Sequence, residues 1–375
     1  MIKVLSIYGT RPEAIKMGSL CAALSKAPQI ESLVCVTAQH RELLDDVNRL
    51  FGIEPDFDLD VMRDRQSLCG VAAKVIAGLE EPLRKIKPDL ALVHGDTATT
   101  ACAAMAAFYS KIPVGHVEAG LRTGDMAAPF PEEGNRIVAG HLAKYHFAPT
   151  RHNAENLAAE GIKKSVYITG NTVIDALKYT VDKSVPLPMT DGFSNYVVLT
   201  AHRRENLGAP LEAICRAVLE IANKYKKLGI IYPVHPNPAV KDTVYDILSG
   251  AENVRLISPV DAKTMHNLMA RCKFVMTDSG GLQEEAPALG KPVLVLRKET
   301  ERPEAVAAGT VKLVGVEKDG IVAAATELIE NKAAYEAMAK AVNPYGDGNA
   351  AARIVDAILY EYGLKDSPPC EFCAK

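Results

Sequence analysis

No run of about eighteen apolar residues occurs in this 375-residue chain, so the usual mark of a membrane-spanning helix is missing. The first residues show no charged segment leading into an apolar one and give no sign of a secretory leader, so a cytoplasmic location is expected. Basic runs are absent too. With a formal net charge of −3, nothing in the charge balance invites nucleic acid, and an anionic ligand has to be met by local cations. No G-x-G-x-x-G turn follows the first apolar run of either half, which removes the nicotinamide fingerprint. Gly290-Lys291-Pro292 is only superficially like the end of a phosphate loop, because proline stands where a magnesium-binding hydroxyl belongs. Neither a nicotinamide requirement nor ATP hydrolysis is expected.

The cysteines make no disulfide framework. Cys21, Cys35, Cys69, Cys102, Cys215 and Cys272 are scattered through apolar patterns and read as reduced core thiols. Cys370 and Cys373 form a lone CxxC in the tail, 366–375. That pattern fits zinc with a second ligand pair, which the sequence lacks, and otherwise a frayed end with two incidental thiols.

What is present is an ordinary globular composition, 48% hydrophobic and 24% charged, on a chain longer than one core usually supports. Apolar strand-like runs alternate with helical patterns: Lys3 to Tyr8, Leu33 to Thr37, Leu90 to Val93, Val114 to Val117 and Val166 to Thr169. After a polar stretch from Asp182 to Asn195 the rhythm restarts with Tyr196 to Thr200, Ile230 to Val234, Val254 to Ile257, Phe274 to Met276 and Val293 to Leu296. This is the pattern of βαβ units on parallel sheets. It predicts an α/β protein of two doubly wound, Rossmann-like lobes, 1–170 and 171–349, with a last helix at about 350–365 crossing back to the first lobe.

Ligand sites in such sheets lie beyond the carboxyl ends of the strands, and the chemistry-bearing residues cluster there. Arg11 and Lys16 follow the first strand. His94-Gly95-Asp96, His116-Val117-Glu118 and Pro131-Glu132-Glu133 supply carboxylates and imidazoles in the first lobe. In the second, His202-Arg203-Arg204-Glu205-Asn206 and His235 end strands in the same way. Thr277-Asp278-Ser279-Gly280-Gly281 leads from a strand into a helix, leaving backbone N–H groups suited to a phosphate, with Glu285 about one turn further in, where it could accept from ribose hydroxyls. Each cluster taken alone also fits a capped helix or a satisfied structural side chain. Their joint placement predicts a cleft between the lobes with cations for phosphate and carboxylates for proton transfer.

Gly9-Thr10-Arg11-Pro12-Glu13, His94-Gly95-Asp96-Thr97, His116-Val117-Glu118-Ala119-Gly120-Leu121-Arg122, His202-Arg203-Arg204-Glu205-Asn206 and Ser279-Gly280-Gly281 together resemble the non-hydrolysing UDP-N-acetylglucosamine 2-epimerases, from about residue 2 to residue 360. The resemblance implies a GT-B fold, a homodimer, and reversible conversion of UDP-N-acetylglucosamine to UDP-N-acetylmannosamine, without nicotinamide or an obligatory metal, for surface polysaccharides. By motif match, Arg11, His202, Ser279, Gly280, Gly281 and Glu285 would hold the uridine diphosphate. Asp96, Glu118 and Glu132 would be the acid/base candidates, with Lys16 and His202 supporting charge at the reacting end. The family mechanism eliminates UDP to give 2-acetamidoglucal and adds it back with a proton delivered to the opposite face of C2.

Relatives in bacteria are also activated by a second UDP-N-acetylglucosamine, for which the matching positions are Gln39, Arg65, Gln66, Glu132, Arg203 and His235. Here Glu42 departs from the glutamine of some regulated members; a carboxylate accepts but does not donate, so activation that is weaker or uses other contacts is expected. The competing readings are a hydrolysing 2-epimerase that releases free N-acetylmannosamine, a GT-B glycosyltransferase, and a silent nucleotide-sugar sensor. The sensor would have no need of Asp96, Glu118 and Glu132 together.

Overall fold

The structure, a computed structural model, describes residues 1–38, 41–62 and 66–374, without the side chains of 41–43. The chain divides into two compact units, Met1–Tyr179 with Tyr345–Cys373, and Thr180–Pro344.

The first unit runs β1 (Ile2–Tyr8), α1 (Arg11–Leu24), β2 (Ile30–Val36), α2 (Arg41–Phe51), β3 (Phe57–Asp58), α3 (Leu68–Ile86), β4 (Leu90–His94), α4 (Ala98–Tyr109), β5 (Val114–Val117), α5 (Glu132–Leu142), β6 (Tyr145–Ala148), α6 (Arg151–Ala159), β7 (Val166–Ile168) and α7 (Thr172–Thr180). Its seven strands are parallel, in the order β3-β2-β1-β4-β5-β6-β7. The second unit runs β8 (Asn195–Thr200), α8 (Ala209–Lys224), β9 (Leu228–Pro233), α9 (Pro238–Leu248), β10 (Val254–Ile257), α10 (Ala262–Arg271), β11 (Val275–Thr277), α11 (Leu282–Ala288), β12 (Val293–Val295), α12 (Pro303–Ala307), β13 (Val311–Leu313), α13 (Lys318–Glu330) and α14 (Lys332–Ala339). Its six parallel strands take the order β10-β9-β8-β11-β12-β13. The last helix, α15 (Ala350–Glu361), returns to the first unit.

Parallel strands covered on both faces need apolar residues at every position, not at alternate ones. In β1, Val4 and Tyr8 enter one core layer while Leu5 and Ile7 enter the other. In β4, Leu90 and Leu92 face the first of these layers and Ala91 and Val93 the second. The α15 residues Ala351, Ile354 and Ile358 fill the first layer beside Met17 and Leu20 of α1.

Two expectations need correction. Residues from 171 were assigned to the second lobe, yet α7 through Tyr179 belongs to the first unit. The cause is Asp175, whose two carboxylate oxygens accept the N–H groups of Ala350 (3.1 Å) and Ala351 (3.0 Å) and so tie α7 to the start of α15. The tail is not frayed at its aromatic residue: Phe372 is buried, donates its N–H to Ile168 O at 2.8 Å along the β7 edge, and lies under the Arg353 guanidinium. Cys370 and Cys373 are both exposed. The helix after Ser279 is short, Leu282–Ala288, with Pro287 inside its last turn.

Gly120, in the loop after β5, shows why that motif tolerates no side chain. Its φ is +89°, and an added Cβ would stand 2.1 Å from the Asn153 carbonyl oxygen.

Candidate active site

Strand order reverses between β1 and β4 in the first sheet and between β8 and β11 in the second, and such reversals are where doubly wound sheets open a ligand crevice.

In the first unit, Gly9 leaves β1 where an added Cβ would fall 1.9 Å from Thr37 Oγ1. Thr10 then caps α1, placing Arg11 at its first position and Glu13 at its third. Glu13 is buried; its Oε2 accepts the N–H groups of Gly9 (3.1 Å) and Thr10 (2.8 Å), and its Oε1 accepts the Thr97 hydroxyl at 2.8 Å. One carboxylate thereby binds the loop carrying Arg11 to the loop carrying Asp96. Burial pushes the Glu13 carboxyl above its ordinary value, against the opposing pull of His94 and the donors.

Lys16 faces the same region from α1 and donates from Nζ to Glu118 Oε2 at 2.5 Å. His94 Nε2 stands 2.9 Å from that oxygen. Glu118 follows β5 with a left-handed φ of 62°, a conformation costing about 1–2 kcal/mol for a residue with a Cβ. Burial alone would raise the Glu118 carboxyl, but Lys16 and His94 outweigh it and hold the group well below the ordinary carboxylate range. His116, two residues earlier, is a brace: its ring Nε2 lies 2.7 Å from Gly95 O, and burial drives its pKa down to about 3, so it stays neutral.

Asp96 is held differently. Arg136, one turn into α5, directs Nε (2.9 Å) and Nη2 (2.6 Å) onto Asp96 Oδ2 and Nη1 (3.0 Å) onto Glu133, while Asn135 donates to the Asp96 carbonyl at 2.9 Å. Asp96 Oδ1 takes no part in the Arg136 pair. Glu132 opens α5, and its buried Oε2 has no hydrogen-bond partner among the described residues. A buried carboxylate oxygen without a donor marks a place for an incoming group.

In the second unit, β8 and β11 end side by side. The buried Asp278 accepts on Oδ2 the N–H groups of His202 and Arg203, each at 2.8 Å, and Asn206 Nδ2 at 3.0 Å. The His202 ring stacks on His235, centroids 5.3 Å apart and 7° from parallel. Ser279 spends its own N–H on Thr277 Oγ1 at 2.9 Å, which removes that donor from the expected phosphate cradle. Two guanidinium groups face Gly280: a Cβ added there would lie 3.6 Å from Arg203 Nη2 and 3.9 Å from Arg302 Nη2. Glu285 is aligned by His266, whose Nε2 is 3.2 Å from Oε2 and whose Nδ1 meets Thr180 Oγ1 at 2.7 Å.

Lys16 and Glu118 are therefore in direct contact, as are His202 and His235. Gln66 is a half-buried residue of the first unit. Gln39, Arg65 and the side chain of Glu42 fall outside the described residues. His94, Glu13, Arg136, Asp278, His266 and Arg302 were not assigned roles from sequence. Most lie inside or beside the quoted motifs, but their partners are distant in the chain, so no local spacing points to them.

Residues 22–359 match the family described as UDP-N-acetylglucosamine 2-epimerase. The chain belongs to this family. A Bacillus subtilis UDP-N-acetylglucosamine 2-epimerase is 48% identical over 377 residues, covering 100% of this chain and 99% of its own. Among solved structures, the Neisseria meningitidis UDP-GlcNAc 2-epimerase bound to UDP-GlcNAc is 49% identical, with a TM-score of 0.89 over 96% of this chain and all of its own. The Methanocaldococcus jannaschii enzyme in complex with UDP-GlcNAc and UDP is 33% identical, with a TM-score of 0.82 over 96% of this chain and 100% of its own. The kitacinnamycin glycotransferase, at 13% identity and a TM-score of 0.68 over 97% of this chain and 99% of its own, shares the fold alone. The family's two Rossmann-like lobes are of the GT-B class, as expected from sequence. Among the described residues no helix is long and apolar enough to cross a membrane.

Proposed function

We propose that this chain interconverts UDP-N-acetylglucosamine and UDP-N-acetylmannosamine by eliminating UDP and adding it back, without hydrolysis. The observation that carries the reading is the unequal state of the three carboxylates. Glu118 is fully ionised, held by Lys16 and His94; Asp96 has Oδ2 pinned by Arg136; Glu132 offers an unpartnered buried oxygen.

A fixed negative charge suits the positive charge that builds on the ring as the C1–O bond breaks. Glu118 takes that part. Glu132 and Asp96 are then the proton-transfer pair: one removes the C2 hydrogen as the C1–O electrons leave with UDP and the C1=C2 bond forms, and the other returns a proton to the opposite face of C2 as UDP re-adds. Arg11, His202, the Ser279–Gly281 turn and Glu285 are assigned to the uridine diphosphate; a nucleotide-sugar ligand is supported by the binding of UDP-GlcNAc to the family members from Neisseria and Methanocaldococcus. The product would serve as a surface polysaccharide precursor made in the cytoplasm by a homodimer.

The test is proton NMR of UDP-N-acetylglucosamine with the protein in D2O, without added NAD or metal. Deuterium at C2 together with a UDP-N-acetylmannosamine signal is the expected result. Free N-acetylmannosamine, or epimerisation that retains the C2 hydrogen, would overturn the mechanism.

Activation by a second UDP-N-acetylglucosamine is proposed through Gln39, Arg65, Gln66, Glu132, Arg203 and His235, weakened by Glu42. Pure UDP-N-acetylmannosamine is accordingly expected to turn over with a lag that a trace of UDP-N-acetylglucosamine shortens. Lag-free progress curves would remove the regulatory site.

A further inference from the structure

Asp278 is buried to 0% exposure, and its two oxygens are used unequally. Oδ2 collects three donors: the His202 and Arg203 N–H groups and Asn206 Nδ2. Oδ1 is buried with no hydrogen-bond partner among the described residues. The nearest ring nitrogen is His202 Nδ1, 3.7 Å away. That is beyond hydrogen-bond reach, but the carboxylate is anchored to the backbone of the very residue whose ring it faces, so a small rotation of the ring closes the gap. A buried carboxylate oxygen left unmatched is costly, and catalytic hydrogen bonds commonly tighten only when ligand arrives.

We propose that Asp278 is a positioning residue which, on nucleotide-sugar binding, accepts His202 Nδ1–H and so presents Nε2–H to the diphosphate. This rests on the assignment of His202 to the diphosphate above. A ring that donates from both nitrogens carries a proton on each and is an imidazolium. A neutral ring held by Asp278 at Nδ1 would instead turn the Nε2 lone pair toward a phosphate oxygen, acceptor against acceptor. Binding is thereby coupled to uptake of a proton by His202.

The surroundings keep that proton off the free protein. Burial pushes His202 below the ordinary histidine value; Asp278 pulls the other way, and the stacked His235 and the Arg203 guanidinium add to the effect of burial. At about pH 7.5 the ring is then neutral until the diphosphate arrives beside it.

The experiment is titration calorimetry of UDP-N-acetylglucosamine at about pH 7.5 in two buffers of different ionisation enthalpy. The diphosphate diester has no ionisation of its own near neutrality, and epimerisation exchanges no net proton. Uptake approaching one proton per nucleotide is expected for the wild type, and less than about a third of that for Asp278→Asn. His202→Gln abolishes it. Asn206→Ala removes a donor to Oδ2 without touching Oδ1 and is expected to retain the uptake, which separates the proposed role from simple support of the loop. Binding without uptake, or full uptake in Asp278→Asn, overturns the proposal alone; no binding by the wild type overturns the nucleotide-sugar reading and the proposal with it. Should Asp278→Asn not fold, the nitrogen-15 shifts of His202 in the wild-type complex decide. Two protonated nitrogens support the proposal, and a pyridine-like nitrogen sinks it.

Discussion

Glu118→Gln is expected to lower turnover by roughly a hundredfold to a thousandfold while KM for the nucleotide sugar moves only a few-fold. The substitution keeps the shape of the side chain and removes its charge. Two consequences follow at one point in space. The developing positive charge on the sugar ring loses its fixed counter-charge, and Lys16 Nζ, which donates to Glu118 Oε2 at 2.5 Å, meets either a weaker amide acceptor or an N–H2 group it cannot bond. The first acts on the transition state alone and so appears in kcat. Steady-state kinetics on UDP-N-acetylglucosamine, with circular dichroism to confirm the fold, checks the split. Turnover within a few-fold of wild type would dismiss Glu118 from the chemistry.

The pH dependence sharpens this. Lys16 and His94, against the opposing effect of burial, hold the Glu118 carboxyl well below the ordinary range. A depressed folded-state pKa contributes stability that is present above the unfolded value, about 4.3, and is lost as pH falls through the lower folded one. Across the working range above about pH 5 Glu118 therefore keeps its charge, and the acid limb of the rate profile belongs to another group. The profile of Glu118→Gln above that pH is expected to be lower than wild type but unchanged in shape.

How much of this was legible beforehand differs between backbone and side chains. Strands such as Val4–Tyr8 and Leu90–Val93 read clearly because burial on both faces demands apolar residues throughout. The strands missed were β3, β6 and β13. Two are sheet edges of two or three residues, and β6, Tyr145-His146-Phe147-Ala148, is interrupted in sequence by a polar histidine, which the fold buries with its ring Nε2 2.8 Å from the Gly140 carbonyl oxygen. The placement of Asp96, Glu118 and Glu132 after strands or at a helix start was readable for the same reason that βαβ rhythm is readable. Their differing states were not. They depend on Lys16, 102 residues from Glu118, and on Arg136, 40 residues from Asp96, and such separations leave no trace in local spacing. Glu13 illustrates the limit: sequence shows an ordinary capping glutamate in the first turn of α1, whereas the fold brings Thr97 to its other oxygen.

Arg136→Met is expected to be the most damaging substitution outside the group that touches substrate. The guanidinium is 6% exposed and serves Asp96 through Nε and Nη2 and Glu133 through Nη1. Burial disfavours its charge, but the two carboxylates outweigh that and hold its pKa above the ordinary value. Glu133, itself 1% exposed, accepts with Oε1 the N–H groups of Thr123 and Gly124, each at 3.0 Å, and so shapes the loop that leads to Glu132. Removing the cation leaves two carboxylates without the charge that separated them, one of them fully enclosed, and breaking a buried pair in this way costs about 3–5 kcal/mol. Turnover should fall as well, because Asp96 loses the fork that fixes its Oδ2. Arg136→Lys retains the charge but cannot reach both carboxylates with a planar fork. It is expected to recover part of the stability and little of the activity, since a point charge can neutralise the pair without orienting Asp96. Urea unfolding followed separately for each unit by hydrogen exchange, together with kcat for both variants, measures the two effects. A loss below about 1 kcal/mol in Arg136→Met would mean that Asp96 and Glu133 find other partners. Activity restored by lysine to the same extent as stability would mean that neutralisation, and not geometry, is what Asp96 requires.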